Sequence, residues 1–177
     1  MPLLNSVTTP YAEAFLQVAN ETQQTEEIVF QAKEILQLIG DSPELEKALS
    51  SPILEKESKK KILIQLFSDK INYSLLNLLK LLADRQRIGI LVPILERFLE
   101  IYRENSNIAL ATVTSAVELS DEQKDLITQK IISIAGTEKL ELVTKTDSSL
   151  IGGFVASVGS KVIDASIASQ IRKLGLS

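Results

Sequence analysis

The chain of 177 residues has no cysteine, no histidine and no tryptophan. Without Cys and His there are no thiolate or imidazole metal ligands, no disulfide staples, no Cys nucleophile and no Ser–His–Asp triad. Aromatic residues make up only 5% of the chain, too few for a sandwich of aromatic-rich strands. There is no excess of positive charge: 19 Lys and Arg stand against 23 Asp and Glu, a formal charge of −4, so the electrostatic footprint of a nucleic-acid binder is missing. No apolar run approaches the roughly 20 residues of a membrane-spanning helix. The Leu-rich stretch from Leu75 to Ala83 is broken by Asn77 and Lys80. Met1-Pro2-Leu3-Leu4-Asn5 lacks the cationic lead and long apolar core of a secretory signal. What is present is an aliphatic globular composition, 45% apolar and 24% charged, that favours helices packed by Leu, Ile and Ala.

Residues 1–105 read as six helices. Thr8 or Thr9 is expected to cap the first, with Pro10 in its first turn and Tyr11, Ala14, Phe15 and Val18 as its apolar stripe. The second runs from about Glu26 to Ile39, with Gly40 as its stop. Ser42-Pro43-Glu44 opens a short third helix ending near Leu49, and Ser51-Pro52 breaks it. The fourth, from about Glu55 to Phe67, presents Ile62, Leu63, Leu66 and Phe67. In the fifth, Leu75 to Asp84, the polar positions Asn77, Lys80 and Asp84 fall within about 60° of arc and Leu or Ala fills the rest. The sixth spans roughly Ile88 to Glu104, starting close to Pro93 or kinked there. Apolar arcs wider than a surface helix needs mean burial on several sides, or one side that awaits a partner.

The pattern changes after Asn105. Ile108 to Ser115 alternates as a strand. Ser120 and Gln123 form a capping box that opens a helix to about Ala135, closed by Gly136, with Leu126, Ile127, Ile131 and Ile134 on its inner face. Strands follow at Leu140 to Lys145, Gly152 to Val158 and Lys161 to Asp164, with a turn at Gly159-Ser160 and a last helix from about Ser166 to Leu174. The expected architecture is an N-terminal all-α six-helix bundle, residues 1–105, followed by a smaller α+β C-terminal domain, residues 106–177. Neither part is basic.

No candidate site assembles into a reaction centre. Gly152-Gly153 is followed by a strand pattern, not a helix start, and lacks the spacing of a phosphate loop; close backbone approach accounts for it. Lys59-Lys60-Lys61 alternates with Glu55 and Glu57 as a solvated helix face does. In Asp84-Arg85-Gln86-Arg87, the two Arg sit where they cap carbonyls or meet a partner's acids. Asp164 and Ser166 are the best polar pair, with N-capping of the last helix as their ordinary role. No catalytic residue, cofactor site or metal site is expected. Spare apolar surface without reactive groups points to a protein that binds amphipathic helices.

Several segments together resemble the delta subunit of F-type ATP synthases, the relative of the mitochondrial oligomycin-sensitivity-conferring protein. They are Pro10-Tyr11-Ala12-Glu13-Ala14-Phe15-Leu16, Ser51-Pro52, and Asn77 through Arg87. The strongest are Leu150 through Gly159, Val162-Ile163-Asp164-Ala165-Ser166, and Gln170-Ile171-Arg172-Lys173-Leu174. Phe15 stands where Leu is common, and the chain ends at Leu176-Ser177 somewhat sooner than the family pattern. The resemblance implies a non-catalytic stator subunit without cofactor or metal. Its helical part would grip the N-terminal helices of the alpha subunits at the top of the catalytic head. Its C-terminal part would engage the b-type peripheral stalk subunits, so that rotor torque drives ATP synthesis. The first and fifth helices would flank the alpha-tail groove, assigned here to Tyr11, Ala14, Phe15, Val18, Leu76, Leu79, Leu81 and Ala83. Gly152, Gly153, Phe154, Asp164 and Ser166 would carry the stalk-binding or structural signature. Ala83 to Ile88 and Lys161 to Ser166 are most similar to cyanobacterial and plastid members. That implies a peripheral position on the thylakoid membrane without insertion, the bacterial plasma membrane being the alternative.

The residue pattern by itself leaves two other readings: a free-standing helical adaptor or scaffold, and an enzyme using Asp164 and the glycine pair on a phosphorylated substrate. The second lacks a base and a metal ligand. On the groove reading, Leu76→Asp or Leu81→Asp would weaken binding of an alpha-type peptide and leave the helices folded.

Overall fold

The computed structural model describes residues 2–51, 53–68, 70–150, 152–159 and 161–165. The chain divides into two compact units, residues 1–102 and 103–177. The first part is helical: α1 (Pro2–Glu21), α2 (Thr25–Asp41), α3 (Pro43–Ser50), α4 (Lys56–Phe67), α5 (Tyr73–Asp84) and α6 (Leu91–Asn105), with a 3-10 turn at Ile88–Ile90 before α6. The second is α/β: β1 (Ile108–Ser115), α7 (Asp121–Ala135), β2 (Lys139–Thr146), β3 (Phe154–Val158) and β4 (Lys161–Asp164). The expected last helix, Ser166 to Leu174, and Ser160 of the expected turn lie outside the described residues.

Two helix boundaries depart from the expectation. α1 begins at Pro2 and carries Pro10 inside it, so neither Thr8 nor Thr9 is its cap. A proline ring fits helical φ, but it forfeits one donor and crowds the carbonyl four residues back. Pro10 lies on the exposed side, where an undonated carbonyl can turn to water. The inner face is also rotated from the expected stripe. Thr8, Ala12, Phe15, Leu16 and Ala19 are buried, while Ala14 and Val18 face outward. In α2 the helix runs through Gly40 to Asp41, so Gly40 is not the stop. Ser42 ends α2 and starts α3. Its N–H donates to the Ile39 carbonyl at 3.2 Å, and its hydroxyl accepts the Leu45 N–H at 3.4 Å. Pro43 then takes the first helical position, where no donor is needed.

α1 and α5 each end in a paired-carbonyl cap. After α5 the Gln86 N–H donates to Ala83 and the Arg87 N–H to Leu82, with Gln86 left-handed at φ 55°. Gln23 does the same after α1, at φ 56°, with its N–H on Asn20 and the Gln24 N–H on Ala19. Glycine is the usual residue there. Asn72 caps α5 by accepting the Ser74 N–H at 2.9 Å, and it fastens that end to α2 by donating to Gln24 and Gln31. Pro93 stands in the first turn of α6, where its missing donor costs little.

One apolar core holds these helices. Phe15 and Phe98 meet in it with ring centroids 5.0 Å apart, ringed by Ile28, Ile35, Leu63, Leu75, Leu79, Leu82, Ile94 and Leu95. The wide arc of α5 is therefore used within the unit: Leu75, Leu76, Leu78, Leu79, Leu82 and Ala83 are all buried. On α4 only Leu63 and Phe67 of the expected stripe are fully buried.

In the second unit the sheet order is β2-β1-β3-β4, with β1 parallel to β2 and antiparallel to β3. A parallel neighbour needs a crossover, and α7 supplies it. The register sets Ala111 opposite Leu142 and Val158, and Val113 opposite Ala156. One face thus carries Ala111, Val113, Leu140, Leu142, Ala156, Val158 and Ile163, and these pack with Ile127 and Ile131 of α7. The capping box forms as expected: the Ser120 hydroxyl accepts the Gln123 N–H at 3.3 Å and the Gln123 side chain accepts the Ser120 N–H at 3.0 Å. Gly136 closes the helix at φ 70°. Leu126 and Ile134 do not line the inner face; both are exposed. Leu126 lies about 100° round the helix from Ile127, off the narrow strip that a short sheet covers, and Ile134 stands in the last turn of α7.

Candidate partner-binding surfaces

Of the eight residues assigned to a helix-binding groove, four are core. Phe15, Leu79 and Ala83 are buried, and Leu76 is only 6% exposed. A guest cannot reach them, and Leu76→Asp would place a carboxylate among apolar groups. The other four reach the surface: Tyr11 is half-buried, Ala14 and Val18 are exposed, and Leu81 is 44% exposed. With exposed Val7, the α1 members fall at steps of four, three and four residues, one outward line along the helix. α1 and α5 pack against each other. Arg87 ties the two ends: its Nη1 donates to the Tyr11 hydroxyl at 2.9 Å, and its guanidinium carbon lies 5.9 Å from the ring centroid. Arg87 is thus engaged within the unit. Lys60 is likewise held, its ammonium 2.8 Å from the Asp84 carboxylate, so α4 is pinned to the end of α5. That hydrogen bond holds the Lys60 pKa above its ordinary value.

The second unit carries an apolar cleft of about 410 Å³. Its walls include Val117, Leu119, Leu126, Ile127 and Phe154, with Gly152 and Gly153 at one side. Val117 and Leu126 are each 68% exposed, far more than their side chains gain from by staying wet. Gly153 sits at φ 78°, a left-handed conformation that favours glycine at the turn into β3. Ser115 closes the cleft's strand end by donating to the Val117 carbonyl at 2.7 Å. Gly152, Gly153 and Phe154 therefore lie together, whereas Asp164 ends β4 opposite Val155 on the sheet's far edge, and Ser166 is outside the described residues. The Leu126 and Val117 contributions were not foreseen; Leu126 reads as core because it is next to Ile127.

In the β2–β3 turn Asp147 accepts the Ser149 N–H at 2.9 Å. Hydrogen bonds from the Ser149 hydroxyl and backbone hold its carboxyl below the ordinary value. Among the described residues no cluster of three His, Cys, Asp or Glu could hold a metal ion, and no helix is long and apolar enough to cross a membrane. The chemistry on view is that of side-chain packing.

The sequence model of the ATP synthase delta (OSCP) subunit matches residues 7–177. The chain belongs to this family. Delta subunits from Prochlorococcus marinus are similar along their whole length. That of strain MIT 9215 is 82% identical over 177 residues, covering 100% of this chain and 98% of the relative. That of strain NATL2A is 61% identical over 176 residues, covering 99% and 97%. A chain of the Toxoplasma gondii mitochondrial ATP synthase hexamer has the same fold, with a TM-score of 0.71 at 21% identity over 96% of this chain and 95% of that one. A chain of the Polytomella F-ATP synthase is similar over 56% of this chain and 88% of its own, with a TM-score of 0.52 at 18% identity. As a delta (OSCP) family member, this is a non-catalytic subunit of the F-type ATP synthase stator, part of a membrane-associated complex.

Proposed function

We propose that this subunit ties the catalytic head to the peripheral stalk by offering each an apolar surface. The six helices act as one bundle that takes N-terminal helices of the alpha subunits along α1 and α5. Val7, Tyr11, Ala14 and Val18 with Leu81 are the contact residues, and Phe15, Leu76, Leu79 and Ala83 form the rigid bed beneath. The cleft of Val117, Leu126, Gly152, Gly153 and Phe154 takes a helix of the b-type stalk subunits, and Asp164 and Ser166 keep a structural part in that unit. Torque on the head then passes to the stalk, so the head stays still while the rotor turns. The complex sits at the thylakoid membrane. The observation that carries this reading is the exposed apolar line on α1, spaced as a helix-in-groove contact requires, in a member of the stator family.

The test is binding of a synthetic peptide of the alpha N-terminal helix. Val18→Asp and Leu81→Asp are each expected to weaken it at least tenfold, about 1.4 kcal/mol, with an unchanged circular dichroism spectrum. Leu126→Asp is expected to weaken capture of the b-type subunits and to leave the alpha peptide untouched. Normal peptide binding by both first variants would refute the assignment of α1 and α5.

A further inference from the structure

The chain holds six asparagines, at positions 5, 20, 72, 77, 105 and 107. Asparagine is among the least durable side chains: the backbone nitrogen of the next residue can attack its side-chain carbonyl carbon. Attack needs an exposed side chain, a small following residue and a backbone free to turn. Five of the six fail one of these conditions. Asn5, Asn20 and Asn77 lie within α1 and α5, where the following nitrogen belongs to the helical ladder. Asn72 spends its side chain on the cap of α5, accepting the Ser74 N–H at 2.9 Å and donating to Gln24 at 3.0 Å. Asn107 is followed by Ile108, a stiff β-branched residue that begins β1.

Asn105 meets all three. It is the last residue of α6, it is exposed, and Ser106 after it stands in the turn before β1. The bond that closes this end is made one residue further on: Asn107, left-handed at φ 52°, donates its N–H to the Glu104 carbonyl at 3.3 Å. Ser106 is thus at the final rung of the ladder, where local opening costs least. It also borders a cavity of about 760 Å³ walled by Asn107, Gly136, Thr137 and Lys139, which gives water room to reach the peptide.

We propose that Asn105 is a site of spontaneous deamidation, near the start of the second unit. The Ser106 backbone nitrogen gives its proton to water and bonds to Cγ of Asn105. The Cγ–Nδ2 bond breaks, and Nδ2 leaves as ammonia. The five-membered imide then takes up one water. Opening at the side-chain carbonyl leaves an aspartate; opening at the backbone carbonyl leaves an isoaspartate. One water is consumed and one ammonia released, with nothing oxidised or reduced. Either product sets a carboxylate at the C-terminal end of α6, where the helix dipole opposes it. The isoaspartate also lengthens the main chain between α6 and β1 by one carbon. The change accumulates with time, so it marks the age of the subunit.

Asn5-Ser6 is a built-in control, the same dipeptide held inside α1. The isolated full-length subunit is kept at mildly alkaline pH, folded or in guanidinium chloride. Peptides are read by mass spectrometry for a one-dalton gain. Isoaspartate is read with an isoaspartyl O-methyltransferase and labelled S-adenosylmethionine. In the folded subunit Asn105 is expected to convert at least fivefold faster than Asn5, and in denaturant the two rates should converge. An unconverted Asn105, a folded-state rate no greater than that of Asn5, or aspartate without isoaspartate overturns the proposal. So does a fivefold difference that persists in denaturant, because the fold would then not be its cause. Asn105→Gln, at an exposed position, is expected to lower the isoaspartate signal of the folded subunit at least fivefold with an unchanged circular dichroism spectrum. An undiminished signal would place the reaction elsewhere and overturn the proposal.

Discussion

Single residues explain how an ordinary aliphatic sequence settles on this arrangement. Gln23 adopts the left-handed conformation at the end of α1, where a side chain is strained and a glycine is not. Gln23→Gly is expected to raise stability by about 1 kcal/mol, read as a higher urea midpoint with the same slope. Asp147 offers a second check. Its carboxyl is held below its ordinary value chiefly by the Ser149 hydroxyl. A lowered folded-state pKa contributes stability that is present above the unfolded value and lost as pH falls through the folded one. The turn thus weakens only at pH below about 3.8. Ser149→Ala should move the Asp147 titration midpoint upward in carboxyl-detected NMR, with part of the lowering retained because the Ser149 N–H still donates.

At the scale of elements, α7 shows how far a helix must be read against what covers it. Ile131 is buried under the sheet, but Leu126 is open to solvent. Ile131→Ala is expected to cost about 2–4 kcal/mol, and Leu126→Ala to stay within about 0.5 kcal/mol, both read by urea denaturation. Ser120→Ala removes the cap and should cost about 1 kcal/mol. The capping box at Ser120, the Ser42-Pro43 start and the Gly136 stop were legible because each is a local device whose residues act on their own neighbours. The helical first part and the α/β second part were legible for the same reason, through the change of apolar period near Asn105. What could not be read was which side of an apolar arc meets the rest of the molecule. Periodicity gives Leu76 and Leu81 equal standing, yet one is core and the other surface, because that depends on helices distant in sequence.

For the whole molecule, the two units are unequally endowed. The helical unit draws its core from all six helices and the 3-10 turn. Among the described residues of the second, only Ala111, Val113, Ile127, Ile131 and Ala156 are fully buried apolar side chains. Stability scales with area removed from water. Residues 1–105 alone should therefore keep a helical spectrum and unfold cooperatively, and residues 106–177 alone should melt at a lower temperature by calorimetry. A fragment 1–105 without a sharp transition would contradict this.

The sheet's second strand in space is its first in sequence. β1 leaves the ribosome first and cannot complete its pairing until β2 and β3 have followed. During synthesis, then, a finished helical body would trail a bare ribbon with both edges open, a brief interval in which nascent chains are most prone to stick to one another.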